Sequence, residues 1–274
     1  MAAPELRPAI PKTALDELYD AYTRRELVHP DPLEVLYDYP DPRDREIVGL
    51  VAASLSYGRV RSILASVRWV LSRLGAPAAF LKEATPDSLA AAFAGFRHRF
   101  ATGREMAALL VGVKRLIEEH GSLNACFAAG LGKGDETVFP ALVAFAGKLR
   151  AAAGGLDDHL VPCPERGSAC KRLHLYLRWM VRRDAVDPGG WEGVSPAQLL
   201  VPLDVHMHRI CRALGLTRRD SADLRAAIEV TNAFKAFAPH DPVRYDFALT
   251  RLGIRPDTDL DGFLARWGAG RERA

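Results

Sequence analysis

Two residues of this chain have the types needed for covalent chemistry, and each stands where a helix begins. Lys171 carries an amine that, once neutral, attacks an electrophilic carbon. Asp204 carries a carboxylate that can take a proton or stabilise a developing positive charge. The lysine lies in VPCPERGSACKRLHLYLRWM, residues 161–180. There Pro162 and Pro164 stop any preceding helix, and Gly167-Ser168 makes a turn. An unbroken helical pattern follows, with Leu173, Leu177 and Met180 on one face. Lys171 falls on the opposite stripe, near the exposed start of the helix, with His174, Arg178 and Arg182 below it. The aspartate opens a second helix in LVPLDVHMHRICRALGL, residues 200–216, whose buried face is Met207, Ile210, Cys211 and Leu214. The pair reads as catalytic, acting on nucleic acid.

Each residue also has a plainer use. A solvated lysine is almost wholly protonated at neutral pH and serves as a surface cation for a phosphate. To act as a nucleophile it needs partial burial or nearby cations, and Arg172, Arg178 and the positive helix terminus are on hand. An aspartate just before an amphipathic helix is a good N-cap. Capping is compatible with catalysis, because it holds the carboxylate ionised and oriented. Asp204 and His208 are four apart and could share a helix face, but no third ligand accompanies them, so no metal is expected. Cys163 and Cys170 lack further cysteines at close spacing, which excludes an iron–sulfur motif, and no other cofactor is implied. Tyr57, Phe96 and Trp179 could stack on bases or belong to the core. Arg59, Arg61, Arg97 and Arg99 are either solvated charges or phosphate contacts.

Composition sets the outer bounds. The chain has 274 residues, 49% hydrophobic and 26% charged, enough to bury a substantial core. A net charge of +3 permits a polyanionic partner without demanding one. The local balance is more informative: from Arg166 to Arg183 there are six Lys or Arg and no acid, the densest basic stretch in the chain. No apolar run approaches the ~20 residues of a membrane span, and MAAPELRPAIPK lacks a secretory core. The four cysteines read as reduced thiols of a cytoplasmic protein. Nothing resembling a heptad seam calls for a dimer, so a monomer is expected.

The elements that must position the pair are helices. Periodicity predicts helices over 13–27, 44–58, 59–75, 77–83, 86–93, 103–120 and 135–153, and after the hairpin over 203–214, 220–235 and 241–252. Gly75 is a C-terminal stop. Residues 29–43 are broken by Pro30, Pro32, Pro40 and Pro42 and read as a loop around a short helix. GFRHRF (95–100), GLGKGDE (130–136) and DPGGWEGVSP (187–196) are connectors, and the tail GAGRERA is expected to fray. No convincing run of alternating β-branched residues occurs. The fold class is all-α, with roughly ten helices and no fixed repeat.

The two chemical segments resemble the helix-hairpin-helix DNA glycosylase superfamily, of the endonuclease III and archaeal 8-oxoguanine glycosylase type. That superfamily carries LPGVGxK-x-A, ending on a catalytic lysine, and VDTHxxRxxxRxGL with a catalytic aspartate. Here ERGSACKRL matches the first and PLDVHMHRICRALGL the second, which places Gly167, Lys171, Asp204, His206 and Arg209. LVAASLSYGRVRSI resembles the superfamily's helix and turn that approach DNA, with Ser56-Tyr57-Gly58 in the turn. The chain is similar over nearly its whole length to a bacterial family carrying GSACKRLxxxLRWMVR and PLDxHxxR. It departs from endonuclease III at Ala169, which replaces the hairpin's second glycine. No proline directly precedes Gly167, the four-cysteine cluster is missing, and Lys171 and Asp204 are 33 residues apart.

The resemblance implies a single all-α unit, residues 1–274, of two lobes with a cleft between them. Its hairpin and catalytic segment would span about 161–216. It further implies base excision from damaged duplex DNA by a glycosylase/AP lyase, with Lys171 forming a Schiff base and Asp204 assisting. The spacing, close to that of the archaeal enzymes, points to 8-oxoguanine. Tyr57, Arg59, Arg166, Gly167, Ser168, Arg172, Arg178 and His206 are the expected DNA contacts. The alternatives are a non-catalytic nucleic-acid-binding protein that keeps the fold, and an enzyme of RNA or small molecules on the same scaffold.

Overall fold

A computed structural model describes residues 10–255 and 257–268. The expected fraying of GAGRERA falls almost entirely outside these residues, as does most of the N-terminal segment. Among the described residues there are thirteen α-helices, four short 3-10 turns and one two-stranded hairpin. The helices are α1 (Lys12–Tyr22), α2 (Pro42–Ser54), α3 (Val60–Leu74), α4 (Pro77–Glu83) and α5 (Pro86–Ala92). Then come α6 (Gly103–His120), α7 (Leu123–Ala128), α8 (Phe139–Ala152) and α9 (Lys171–Val181). The last are α10 (Val205–Ala213), α11 (Leu224–Lys235), α12 (Asp246–Ile254) and α13 (Leu260–Trp267). The chain is mostly helical, as its periodicity predicts, and no helix among the described residues is long and apolar enough to cross a membrane.

Local chemistry sets most of the boundaries. Thr102 caps α6 in a reciprocal box with Glu105, and Gly121, at φ 87°, ends that helix. Gly75 ends α3 as expected. The predicted helix over 13–27 stops at Tyr22, and Arg25–Leu27 continues only as a 3-10 turn. GFRHRF is not a plain connector: β1 (Arg97–His98) pairs antiparallel with β2 (Ala101–Thr102), Arg97 opposite Thr102. This hairpin carries Phe100, 66% exposed, at its tip.

Two helices have no counterpart in the periodicity. α7 is six residues long, too short to establish a period, and is held by the buried Glu46. That carboxylate accepts the amides of Leu123 and Asn124, both at 2.9 Å, and Trp191 Nε1 at 3.1 Å. α13 is likewise short.

The core is continuous from Ile10 to Leu252. α2, buried along its whole length from Glu46 to Ser54, packs on α9, α3, α4 and α7, and on the 3-10 turn Pro32–Asp38. α6 packs on α5, α7 and α8, while α12 packs on α10 and α1.

α9 departs most from expectation. Its second stripe is not a solvent face: His174, Arg178 and Arg182 are all buried. A helix enclosed by protein on more than one side has no free polar stripe, and its cations must then find internal partners.

Candidate active site

The approach to Lys171 is a sequence of tight turns. Pro164–Arg166 forms a 3-10 turn that closes on Gly167 in the left-handed region, φ 78°. Ser168 forms an isolated antiparallel bridge with Asp223, and Leu224 N donates to Gly167 O at 3.0 Å. Cys170 precedes the helix with φ 43°, a left-handed conformation costly for a residue with a Cβ. Its carbonyl accepts the amides of Leu173 and His174 and so starts α9. Lys171 is therefore the first residue of α9, ahead of the position its periodicity suggests.

Asp204 is the N-cap of α10. Its Oδ1 accepts the amides of His206 and Met207, both at 2.9 Å. That leaves Oδ2 for Lys171, whose Nζ donates to it at 2.6 Å. The two side chains are 35% and 29% exposed, at the edge of solvent rather than in it. Burial by itself raises the Asp204 pKa, but the Lys171 ammonium and the capping amides outweigh it and hold the carboxyl below its usual range. The long segment between Arg182 and Asp204 does not separate the pair.

The pair opens onto a pocket of about 710 Å³, within the range of small-molecule sites. One wall is a single stripe of α9: Lys171, Leu175 and Trp179, four residues apart. Tyr57, Gly58 and Val60 line it from the turn between α2 and α3, and Asp204, His206, Met207 and Ile210 from α10. α12 adds Phe247, Thr250 and Arg251, and the loop before the first long 3-10 turn adds His29 to Pro32.

Of the expected DNA contacts, some remain accessible and two do not. Tyr57 and His206 line the pocket, and Arg59 and His206 are exposed. Tyr57 is anchored by its hydroxyl on His98 O at 3.2 Å, with the Arg172 guanidinium 5.1 Å from its ring centre. Arg166 is exposed and pairs with Asp158. Gly167 has open space around its Cα, and the Ser168 hydroxyl accepts the Cys170 amide at 3.2 Å.

Arg178 is not a phosphate contact. It is buried, and its guanidinium is committed to Asp187 and Asp246. Burial lowers its pKa, but these two carboxylates overcome that and keep the guanidinium firmly charged. Arg172, expected to be free for a phosphate, is likewise committed within the protein. It donates to the carbonyls of Ser54 and His159, both at 2.6 Å, and to Asp158 O at 3.0 Å. It fastens the 158–160 loop to the end of α2. The cations expected to bias Lys171 are thus spent elsewhere, and the group in contact with its amine is Asp204. His174 is buried neutral, its pKa pushed down by burial to about 4.

Periodicity could not assign Trp179 or Arg251 to this pocket, because a buried aromatic or a paired arginine carries the same pattern in any core. Glu105, Asp157 and His159 form a second unforeseen group, with one ligand-type atom from each lying within 4.8 Å of the others. Glu105 also caps α6 and pairs with His159 Nε2 at 3.0 Å, and none of the three lines the pocket. His208 turns away from Asp204, its Nε2 lying 3.0 Å from Arg219 O.

No curated protein and no solved structure was found to match the chain. A family model does match, over residues 31–255, which include every helix from α2 to α12 and both residues of the pair. The chain therefore belongs to the family described as Protein of unknown function (DUF2400).

Proposed function

We propose that the chain is a DNA glycosylase with AP lyase activity that removes an oxidised base, such as 8-oxoguanine, from duplex DNA. The observation that carries this reading is the contact of Lys171 Nζ with Asp204 Oδ2, at 2.6 Å, on the edge of a pocket of about 710 Å³. An amine, a carboxylate and an adjoining cavity are what base removal from an everted nucleotide needs. On this reading the helices around α10 and α12 form one lobe, those around α2 and α3 the other, and the pocket is the cleft between them.

The chemistry runs in four steps. Lys171 passes a proton to Asp204 and attacks the sugar C1′ as a free amine. The C1′–N bond breaks, its electron pair leaves with the base, and the base takes up the proton that Asp204 received. The amine then passes a proton to the ring oxygen, the C1′–O4′ bond breaks, and the sugar ring opens to a Schiff base between Lys171 and C1′. A C2′ proton then passes to solvent at the open edge of the site and the 3′ phosphate is expelled, which cuts the strand 3′ to the lesion. Once the base has taken that proton, Asp204 is again a carboxylate and is placed to stabilise positive charge on the sugar and the Schiff base, and such preorganised electrostatics are often the largest catalytic contribution.

The mouth of the pocket is consistent with splayed nucleic acid. Val60 and Ile254 line it and Val205 adjoins Asp204, and all three are exposed apolar side chains. Arg59, Arg166 and the open turn at Gly167 are the remaining candidates for phosphate, which predicts salt-sensitive binding.

Borohydride trapping on duplexes carrying 8-oxoguanine or an abasic site tests the proposal. Wild type should give a covalent adduct, and Lys171→Gln should give none. Salt-dependent binding without any adduct would favour a non-catalytic DNA-binding protein. Activity confined to RNA or free nucleosides would favour the third alternative.

A further inference from the structure

The proposed reaction needs one more proton acceptor than Lys171 and Asp204 supply. Once the sugar has opened, Lys171 is bound as the iminium. Asp204 is then needed as a carboxylate beside that charge, with its Oδ1 still held by the amides of α10. The C2′ proton must go to another group. The other acids of the pocket wall are already paired: Asp31 with Arg251, Asp246 with Arg178 and Asp257 with Arg255. Imidazole is the side chain suited to such a transfer near neutral pH. Two histidines line the pocket, His29 and His206.

The two are held differently. His206 is the second residue of α10, where the positive end of the helix opposes a further positive charge. His29 lies just before the turn Pro32–Asp38, and its Nδ1 is 2.8 Å from Glu34 Oε2. A carboxylate only accepts, so Nδ1 carries the hydrogen and donates it, which leaves the Nε2 lone pair free. Nε2 makes no hydrogen bond among the described residues. Glu34 is fixed in turn by three donors: His29, Arg68 and the Asp31 amide at 3.4 Å. The Asp31 carboxylate accepts the Leu33 amide at 2.9 Å and reaches Arg251 of α12, so the loop is tied to the pocket wall. The His29 side chain is 73% exposed, and a proton taken there can pass on to water. A pocket of about 710 Å³ holds one ligand of nucleoside size, so this loop and α9 meet the same ligand.

Resting on the glycosylase reading, we infer that His29, oriented by Glu34, is the base that takes the C2′ proton and relays it to solvent. The C2′–H bond breaks and its proton bonds to Nε2. Its electron pair forms the C1′=C2′ bond, and the iminium pair returns to the Lys171 nitrogen. That nitrogen then re-forms the iminium, C2′=C3′ forms, and the C3′–O bond breaks with its electrons leaving on the 3′ phosphate. His29 is thus a catalytic residue of strand cleavage alone, and Glu34 is its positioning residue.

The test reads borohydride trapping and strand cleavage separately, on duplexes carrying one 8-oxoguanine or one abasic site. With His29→Ala, adduct should form at the wild-type rate while cleavage slows about 10²-fold, so that trapped adduct accumulates. Free imidazole should restore cleavage by His29→Ala, beyond its effect on DNA alone. Glu34→Gln keeps an acceptor for Nδ1 without the charge. It should slow cleavage less than His29→Ala does and leave the rate of adduct formation in place.

A wild-type adduct with undiminished cleavage by His29→Ala overturns the assignment and leaves the lyase reading standing. Adduct formation and cleavage that fall together, without rescue by imidazole, also overturn it, since a purely structural role predicts that result. No adduct from wild type overturns the lyase reading itself, and the assignment falls with it.

Discussion

At the scale of single residues, Asp204 does two jobs with two oxygens. Oδ1 is held by two amides of α10 and Oδ2 by the Lys171 ammonium, so the carboxylate cannot turn without losing bonds. Asparagine caps helices about as well as aspartate, so Asp204→Asn should fold with its α10 cap intact. If the proposed chemistry holds, its excision rate should nevertheless fall about 10²–10³-fold, the usual loss when a preorganised electrostatic group is removed. The same residue sets a pH dependence. Its folded pKa is depressed, so its contribution to stability is present above the unfolded value of about 4 and is lost as pH falls through the folded one. Urea unfolding of wild type and Asp204→Asn should therefore differ at pH 7 and converge well below pH 4. An unchanged difference in acid would mean that Asp204 is not held by charge.

At the scale of elements, close packing and glycine decide what can change. Gly103 begins α6, and a Cβ built there would stand 1.9 Å from Phe93 O, a backbone atom with no freedom to withdraw. Gly103→Ala should destabilise the fold by about 2–4 kcal/mol, since relief requires moving α5 or α6. Gly147, in the middle of α8, is exposed, and a Cβ there meets nothing within 4 Å. Gly147→Ala should instead stabilise by up to about 1 kcal/mol, through helix propensity. Thermal melts of both variants read these opposite signs, and a shared sign would contradict the packing of α6. The α9 helix shows the same logic with charge. Its arginines lie off the apolar stripe of Leu173, Leu177 and Met180, yet each has a carboxylate or carbonyl waiting inside.

At the scale of the whole molecule, buried ion pairs hold distant segments together around the pocket. Asp187, fully buried, bridges Arg178 and Arg182 of α9 and its C-terminal end. Arg178 reaches on to Asp246 at the start of α12, and Arg182 to Asp184 and Asp241. Arg251 joins α12 to Asp31, and Tyr245, just before α12, bonds Asp16 of α1 at 2.7 Å. Removing one partner strands a buried charge, so Asp187→Ala should cost about 3–5 kcal/mol in denaturant unfolding. That cost should hardly change with salt, because buried pairs are poorly screened. If the proposed function holds, affinity for duplex DNA should by contrast fall steeply between 50 and 200 mM salt, on the order of tenfold for each pair or so of phosphates neutralised. A large salt effect on the Asp187→Ala penalty would place that network in contact with solvent.

What the sequence determined by itself was local. Apolar periodicity specified α3, α4, α5 and α6 to within about a residue at each end, because a helix's bonds and buried stripe lie within a few residues of one another. The cap at Asp204 and the turn at Gly167 were legible for the same reason: a side-chain oxygen meets amides two and three residues on, and only a left-handed turn favours glycine there. The tertiary structure alone decided the rest. Lys171 meets Asp204 across 33 residues, and Arg178 meets Asp246 across 68. Whether a cation faces solvent or a buried acid depends on which remote segment packs beside it. No period within α9 could distinguish Lys171, left at the edge of a pocket, from Arg178, buried in the wall of the same pocket and spent on Asp187 and Asp246.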